Sequence, residues 1–319
     1  MNKPKDFKLK IREIHAKTIL VKCKNPEAWF GVAFHLNVYR GCPHGCIYCD
    51  SRSECYGIED FDELVVKVNA PELLRRELAS KRAVGTVGTG AMSDPYNPAE
   101  EQLRLTRRVL ETLVEFGRPV HVITKSDLIL RDRDLLQKAN RIFASVAFTV
   151  TTVDDALAAR IEPGAPSPSL RLQAMKTLSD AGIYAGALMM PVLPFIEDHP
   201  DNIQAILRRT RECGGSFVIP WFGMSLRDRQ REYYYRSLDR LFPGLSERYR
   251  RKFGNAYNCL APDHHQLQRI FTDWCREYGL AGEMRDVKQY RPEAPSQLSL
   301  FANDSDLPRR RTVFENEDY

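Results

Sequence analysis

The segment Tyr39-Arg-Gly-Cys-Pro-His-Gly-Cys-Ile-Tyr-Cys-Asp50 decides the fold. It contains a C-x3-C-x2-C motif formed by Cys42, Cys46 and Cys49. The motif directly follows the apolar run Phe34–Tyr39, which we predict to be a strand. Two glycines and a proline between the strand and the last cysteine favour a tight loop in which the three thiols converge.

Three thiolates are typical metal ligands, but they are one fewer than a closed four-ligand site needs. They are too few to close a tetrahedral structural zinc site or a four-cysteine iron–sulfur cluster. They fit a four-iron cluster with one open iron that binds a substrate or cofactor. Zinc with one further ligand and an ordinary ferredoxin-type cluster are the alternatives. For zinc, His44 lies inside the same loop and cannot easily face the same metal, so Cys55 is the better fourth ligand.

The β/α pattern extends outward from this loop over the first two-thirds of the chain. The candidate strands are Phe34–Tyr39, Ala83–Gly88, Pro119–Thr124, Ile142–Thr151, Ile183–Pro191 and Ser216–Phe222. The candidate helices are Pro71–Lys81, Pro98–Phe116, Asp132–Ala139, Pro168–Ala181 and Asp201–Cys213. Such alternation predicts an α/β fold with a parallel sheet. At about 31 residues per unit, the series is two units short of a closed eight-stranded barrel.

The composition is that of a globular protein, with 319 residues, 43% hydrophobic and 28% charged, and a net charge of +5. These values exclude a wholly disordered chain, a collagen-like repeat and a coiled coil. No apolar run approaches the ~18 residues of a membrane span, and Met1–Lys10 is polar and basic, unlike a secretory signal. We therefore expect a cytoplasmic protein. In a reducing compartment its eight cysteines indicate metal or redox chemistry.

The cysteine motif resembles that of the radical S-adenosylmethionine (SAM) enzymes, which have an aromatic residue before the last cysteine, here Tyr48. The resemblance implies a partial (β/α)6 barrel of the TIM type, a [4Fe-4S] cluster and SAM bound at the open iron. In that family one electron from the cluster cleaves SAM to methionine and a 5′-deoxyadenosyl radical, which abstracts a hydrogen atom from the substrate. A reductant such as flavodoxin or ferredoxin supplies the electron.

Residues 30–220 resemble more narrowly the spore photoproduct lyase branch, whose lyase reverses a thymine–thymine lesion in DNA. The matching segments are Ser93-Asp-Pro-Tyr-Asn-Pro-Ala-Glu100, Ile123-Thr-Lys-Ser126, Phe148-Thr149 and Arg160-Ile-Glu-Pro163. The SAM contacts that the resemblance implies are Tyr48, Ser93, Asp94, Lys125 and Thr149. The last four lie at or near the carboxyl ends of predicted strands, where barrels place their chemistry.

Three of these residues also have a structural alternative. Ser93 and Asp94 are typical of a turn before Pro95. Lys125 would be a solvated loop lysine. For Glu162, which lies in a matching segment, a contact to the cofactor and an ion pair with Arg171 are both open.

The sequence departs from the photoproduct lyases at one residue of the matching segment. Ala91 replaces the cysteine that in the lyases donates a hydrogen atom to the product radical. A methyl group cannot do this, so either another residue donates or the reaction differs. The candidate donors are Cys55, Tyr96 and Tyr39. The alternative for Cys55 is an incidental free thiol.

A basic stretch follows the β/α series, with nine Lys or Arg and four Asp or Glu in residues 225–252 and several interleaved tyrosines. This pattern favours phosphate contact and base stacking. The alternative is a solvated amphipathic helix. The candidate nucleic-acid contacts are Arg229, Arg236, Tyr249, Arg250 and Arg251. A further helical pattern covers His264–Tyr278.

The last segment, 291–319, is rich in proline and charge, and we predict a disordered tail. It contains Gln297, Leu298, Leu300 and Phe301, which resemble the peptide that binds the bacterial sliding clamp. The alternative is a segment that packs back on the barrel. The predicted division is an N-terminal extension (1–33), the barrel (34–224), a basic helical region (225–290) and this tail.

These observations predict a radical SAM enzyme of lyase type that acts on DNA lesions, with DNA as a partner. Two alternatives stay open. The first is radical modification of RNA, protein or a small molecule. The second is a nucleic-acid- or clamp-associated protein whose iron–sulfur cluster is structural.

Overall fold

The computed structural model describes residues 10–58, 60–61, 63–80 and 85–291. The strands are β1 (Lys10–Ile14), β2 (Leu20–Lys22), β3 (Val32–Leu36), β4 (Tyr39–Arg40), β5 (Glu63–Lys67), β6 (Thr86–Thr89), β7 (Val120–Thr124), β8 (Ala144–Thr149), β9 (Tyr184–Met189), β10 (Val218–Pro220), β11 (Gly223–Ser225) and β12 (Asn258–Leu260). The helices are α1 (Ala70–Ser80), α2 (Glu100–Leu103), α3 (Leu105–Glu115), α4 (Arg133–Ala139), α5 (Asp155–Ile161), α6 (Pro168–Asp180), α7 (Pro200–Glu212), α8 (Asp228–Leu241), α9 (Leu245–Phe253) and α10 (His264–Tyr278).

Six strands form one parallel sheet in the order β3–β6–β7–β8–β9–β10, so strands that follow each other in the β/α series lie side by side. Successive side chains of β7 enter two different cores: Val122 packs in the core that also contains helix residues, whereas Ile123 packs inside with Phe217. A strand buried on both faces is typical of parallel sheets covered by helices. The sheet confirms the partial (β/α)6 barrel that the resemblance implied.

Local sequence explains where the helices around this sheet begin. The side chain of Ser167 caps α6, with Pro168 as its first residue, and the side chain of Asp154 accepts two backbone N–H groups of α5. The predicted single helix Pro98–Phe116 is two helices, because Arg104 adopts a left-handed conformation (φ +51°) between α2 and α3. After this break the Glu100 carboxylate accepts the backbone N–H of Thr106 at the start of α3.

The segment predicted as an N-terminal extension contributes to the sheets. β2 pairs antiparallel with β3 and forms the edge of the main sheet. β1 pairs in parallel with β5, which also pairs with β4 just before the cysteine loop. The predicted domain boundaries at residues 33 and 224 remain predictions.

The C-terminal region packs against both ends of the parallel sheet. α10 lies on α7, and the chain after α10 returns to β10, where Val218 donates its N–H to the carbonyl of Ala281 (2.9 Å). Farther along, the Met284 sulfur accepts the backbone N–H of Phe30 (3.1 Å), which precedes β3. The chain after α10 therefore contacts β10 at one edge of the six parallel strands and the segment before β3 at the other edge.

The predicted disordered tail lies outside the described residues from residue 292 onward, and so does the clamp-binding motif formed by Gln297, Leu298, Leu300 and Phe301. Within the described part of the chain, no helix is both long enough and apolar enough to span a bilayer.

Candidate active site

A cavity of about 330 Å³ opens at the carboxyl ends of β6, β7 and β8. Parallel strands end at the same edge of the sheet, so the loops that follow them meet there. The cavity brings together all eight residues that we predicted to bind the cluster or SAM: Cys42, Cys46, Tyr48, Cys49, Ser93, Asp94, Lys125 and Thr149.

The cysteine loop is fixed by backbone contacts to the chain around α5. Ile47 donates its N–H to the carbonyl of Ile161 (2.9 Å), and Gly164 donates to the carbonyl of His44 (2.8 Å). The loop begins at Gly41, whose φ is +78° and where an added Cβ would lie 2.5 Å from the carbonyl oxygen of Glu63. Only glycine fits such a close approach, so the glycine before the motif is required by packing.

Burial keeps the Cys42 and Cys46 thiols of the motif away from the ionised form that binds iron. Among the described residues, no group of three His, Cys, Asp or Glu side chains that could hold a single metal ion is found. Burial, with the charges of Asp94 and Cys49, raises the pKa of Cys42 to about 12, and burial likewise raises the pKa of Cys46. Iron binding must therefore displace the thiol protons.

A buried charge network lies behind the loop and centres on Glu162. The Tyr48 hydroxyl donates to Oε1 of Glu162, and Arg171 donates to Oε2 at 2.5 Å. The Arg171 guanidinium also donates to the carbonyl of Thr149 (3.0 Å). Because Glu162 and Arg171 are each only 1% exposed, these bonds form away from water and hold Tyr48 next to the last cysteine of the motif. Glu162 thus forms the predicted ion pair with Arg171.

Lys125 reaches the same network from the end of β7. Its Nζ lies 4.0 Å from Oε1 of Glu162 and 5.6 Å from the centre of the Tyr48 ring. Burial alone would lower the pKa of Lys125, but the negative charges of Cys46 and Glu162 outweigh it and raise the pKa. Burial would raise the pKa of Glu162, but Arg171, Lys125 and the Tyr48 hydroxyl hold it below its usual range. Both side chains are therefore charged at neutral pH, and Lys125 presents a cation to the cavity.

Asp94 fixes the loops of the wall. Its Oδ1 accepts the Thr124 hydroxyl (2.7 Å), and its Oδ2 accepts the backbone N–H of Lys125 (2.7 Å). Ser93 donates its hydroxyl to the carbonyl of Gly41 and so joins this loop to the start of the cysteine motif. Both residues line the cavity while bonded to the protein, so they hold Lys125 and the motif in place.

A family model, the Radical SAM superfamily, matches residues 36–206, which is more than half of the chain. The chain belongs to the radical SAM superfamily. This family uses a [4Fe-4S] cluster and SAM, and the donor set fits them: three thiols and an amino acid-binding wall with a cation share one cavity.

Several relatives cover most of this radical SAM protein. An uncharacterised protein of Mycobacterium tuberculosis (strain H37Rv) is 31% identical over 300 residues, 91% of this chain and 87% of the relative. The radical SAM Nalpha-GlyT isomerase of Pseudomonas phage M6 is 26% identical over 276 residues, 86% of this chain and 52% of the isomerase. The structure of a spore photoproduct lyase with dinucleoside spore photoproduct has a TM-score of 0.63 at 15% identity, covering 85% of this chain and 81% of the lyase. This last likeness shows a shared fold.

The candidate hydrogen donors lie away from the radical SAM cavity. Cys55 is exposed and does not line the described cavity, whereas Ala91 does. Tyr39 and Tyr96 are fully buried in the core behind the wall, and the Tyr39 hydroxyl donates to Glu100.

An aromatic half of the cavity is not evident from the sequence. Its wall includes Trp29, Tyr56 and Trp221, next to the apolar side chains of Met190 and Leu188. Trp29 comes from the segment before β3, and Trp221 follows β10, so the chain must fold before they meet. Two of the three tryptophans of the chain line one cavity, but their sequence positions carry no motif.

The basic stretch forms α8 and α9, and two of its predicted nucleic-acid contacts are structural. Tyr249 is fully buried and donates its hydroxyl to the carbonyl of Pro194 (2.7 Å), so the prediction that it stacks on a base is wrong. Arg229 donates to the backbone carbonyls of Arg52 (2.8 Å) and Ile58. It holds α8 against the segment that follows the cysteine motif.

The other three predicted contacts of this region stay on the surface. Arg236, Arg250 and Arg251 are exposed on α8 and α9, and the Arg250 guanidinium covers the ring of Tyr235 at 4.4 Å. The helices bury Tyr234, Tyr235 and Tyr249 against the cysteine motif and the barrel, while these three arginines face solvent.

Proposed function

We propose that this radical SAM enzyme acts on a damaged or modified base in DNA. One observation carries the proposal: the cavity that contains the cysteine motif is also lined by the aromatic side chains of Trp29, Tyr56 and Trp221. Aromatic side chains stack on the planar face of any nucleobase, at about 1–3 kcal/mol per base. A base that leaves the duplex can thus be held beside the cluster.

The polar half of the cavity provides the chemistry of the proposal. When bound, the cluster and SAM supply a 5′-deoxyadenosyl radical that abstracts a hydrogen atom. Cys42, Cys46 and Cys49 hold the cluster, and Lys125 provides the cation for the SAM carboxylate. Thr149 lines the same wall, while Ser93 and Asp94 keep the surrounding loops in position.

The exposed arginines provide the duplex contact of the proposal. Arg236, Arg250 and Arg251 would bind phosphates, so DNA retention should weaken steeply with added salt. A variant with all three changed to Gln is expected to bind duplex DNA more weakly and with a smaller salt slope, while its cluster absorbance is unchanged. Binding with the same salt slope as the wild type would show that these three arginines do not contact DNA phosphates.

The tail gives a second, separate prediction about partners. The peptide Gln297-Leu-Ser-Leu-Phe301 lies outside the described residues, and its binding to a sliding clamp remains a prediction. Changing Leu300 and Phe301 to Ala should abolish pull-down by the clamp without change in cluster absorbance. Retained pull-down would reject the motif.

The decisive experiment uses the full chain with its cluster reconstituted under anaerobic conditions, dithionite as reductant, and SAM. We expect 5′-deoxyadenosine, and we expect ultraviolet-irradiated oligonucleotide to lose a thymine lesion, as measured by mass spectrometry. A deuterated lesion should transfer deuterium into 5′-deoxyadenosine. Formation of 5′-deoxyadenosine without change in any irradiated or modified DNA would reject the DNA substrate but not the radical chemistry.

A second candidate, radical isomerisation of a modified base, is favoured by Ala91. Within the described cavity wall, the three motif cysteines supply the thiols, and an alanine stands where the lyases have their donor. An isomerisation can take its hydrogen back from 5′-deoxyadenosine and needs no protein donor. The radical SAM relative in phage M6 is an isomerase by name. In this case deuterium should appear in both 5′-deoxyadenosine and the rearranged product, whereas a lesion-splitting reaction with a solvent-exchangeable donor would incorporate solvent hydrogen.

A further inference from the structure

A carboxylate lies directly after the last motif cysteine and is fully engaged by groups from distant parts of the chain. Ser225 donates its hydroxyl to Oδ1 of Asp50 (2.8 Å). The Tyr56 hydroxyl and the Arg227 guanidinium both donate to Oδ2, at 2.7 and 2.9 Å. Asp50 lines the cavity together with Cys49, so this ion pair lies at the edge of the cluster site.

The arginine of this pair is held in a fixed position. Its Nε donates to the Ser53 hydroxyl (2.8 Å), and its guanidinium lies 5.5 Å from the Tyr56 ring and 5.2 Å from the Tyr257 ring. Its backbone N–H donates to Gln230 (3.1 Å). The side chains of Asp50 and Arg227 are 34% and 29% exposed, so solvent screens this ion pair only in part.

Gln230 joins the same pair to the backbone of the motif. It is fully buried, and its Nε2 donates to the carbonyl of Tyr48 (3.2 Å) and to the carbonyl of Ser225 (3.0 Å). The residues on both sides of Cys49 are therefore fixed by the start of α8 and by β11. A fixed dipole of two opposite charges thus stands beside one cluster ligand.

We propose that the Asp50 and Arg227 charges each shift the reduction potential of the cluster, in opposite directions and by similar amounts. Reduction adds one negative charge, and the potential of an iron–sulfur cluster depends on the charges and hydrogen bonds around it. The Asp50 carboxylate opposes that added charge, whereas the Arg227 guanidinium favours it. The inference rests on the cluster that the family carries and not on the identity of the substrate.

The two charges predict shifts of opposite sign, which tests the proposal. Asp50→Asn leaves an unbalanced cation and should move the potential to more positive values. Arg227→Gln leaves an unbalanced anion and should move it to more negative values. The double variant should return close to the wild type. The potentials are measured on the reconstituted full chain without SAM, by electron paramagnetic resonance at controlled potential.

Iron content and controls separate tuning from structural damage. Arg227→Lys keeps the charge and should restore most of the wild-type potential, and Arg276→Gln on the exposed face of α10 should leave it unchanged. If Asp50→Asn fails to hold iron, comparing the double variant with Arg227→Gln still isolates the effect of the Asp50 charge. If Arg227→Gln fails, comparing the double variant with Asp50→Asn isolates the effect of the Arg227 charge. Shifts of the same sign, no shift, or loss of the cluster in all three variants would overturn the proposal.

Discussion

The two halves of the cavity differ in how they are held. The polar half consists of the motif cysteines and a network of charges in which Glu162 is bonded to both Tyr48 and Arg171. In the aromatic half, Trp29 and Trp221 come from segments that flank opposite edges of the parallel sheet, and packing places them. Removing one partner of a buried ion pair destabilises the fold, whereas replacing one aromatic ring of the cavity by another leaves the fold stable. The polar half should therefore be essential for radical formation and the aromatic half for the choice of substrate.

The largest expected effect is complete loss of radical chemistry when one motif cysteine is removed. Cys46→Ala should abolish the cluster absorbance and the formation of 5′-deoxyadenosine, because two thiolates cannot hold the cluster. Cys213→Ala, which removes a buried thiol outside the cavity, should keep both. SAM cleavage by the Cys46→Ala protein would show that the polar half is not required for radical formation.

The next effect is on stability and concerns the buried ion pair. Glu162→Ala leaves the Arg171 guanidinium buried without its carboxylate, which costs about 3–5 kcal/mol in the free energy of unfolding. Urea denaturation of the cluster-free protein measures this change. Arg75→Ala, which breaks an ion pair whose side chains are about half exposed, should cause little change. Similar losses in the two variants would show that burial does not distinguish these pairs.

A smaller effect is expected in the aromatic half. Trp221→Ala removes one side of the wall, and the lost contact of about 1.5–3 kcal/mol should raise KM for the substrate by about 10- to 100-fold. SAM cleavage without substrate should continue at the wild-type rate. Trp221→Phe should recover most of the affinity, and Trp274→Phe on α10 serves as the matched control. Loss of SAM cleavage in Trp221→Ala would show that the aromatic half is also needed for radical formation, contrary to the proposed division of roles.

The last effect depends on pH and concerns a buried carboxyl that forms no ion pair within the described part of the chain. Glu197 is fully buried, and one of its oxygens accepts the N–H of Leu193 (3.0 Å). Burial raises its pKa well above the usual range. The folded chain keeps this proton as pH rises above about 4.3, while the unfolded chain releases it. The free energy of unfolding should therefore fall by up to about 1.4 kcal/mol per pH unit from this group alone.

Glu197→Gln removes this loss, so its stability should decrease less between pH 5 and pH 8 than that of the wild type. Glu162→Gln tests the opposite sign. Because the folded-state pKa of Glu162 is lowered, its contribution is present above about pH 4.3 and disappears only in more acidic solution. Urea denaturation at pH 5 and pH 8 measures the effect of Glu197→Gln, and denaturation at about pH 3 compared with about pH 5 measures that of Glu162→Gln. Parallel pH profiles for Glu197→Gln and the wild type would contradict a protonated Glu197.

The barrel and the polar half could be predicted from the sequence because their signals are local. Each of the six predicted strands overlaps a strand of the parallel sheet, and the cysteine spacing identifies a loop whose ligands are near one another in the chain. Lys125 and Asp94 were predicted from segments that resemble the photoproduct lyase branch, and both follow predicted strands. Their placement in one cavity follows from the parallel order of the strands.

The remaining features depend on contacts between distant residues. Tyr249 and Arg229 belong to a basic, aromatic stretch whose pattern is the same for a surface that binds phosphate and for a helix that packs against a loop. The difference lies in which face is buried, and the partner that buries it is more than 170 positions away for Arg229. Likewise, no local pattern relates Trp29 to Trp221, since the fold alone brings them together.

The contacts between α8 and the cysteine motif have a consequence for how such a protein can change over evolution. A fragment that ends at residue 224 would retain the barrel strands and all three motif cysteines, yet it would lose Arg227, Arg229 and Gln230, which hold the backbone around Cys49. Recombination at this boundary would therefore remove the contacts that fix the backbone of the motif. New substrates would arise by point substitutions in the aromatic wall, where a side chain can change while the frame around the cluster is inherited intact.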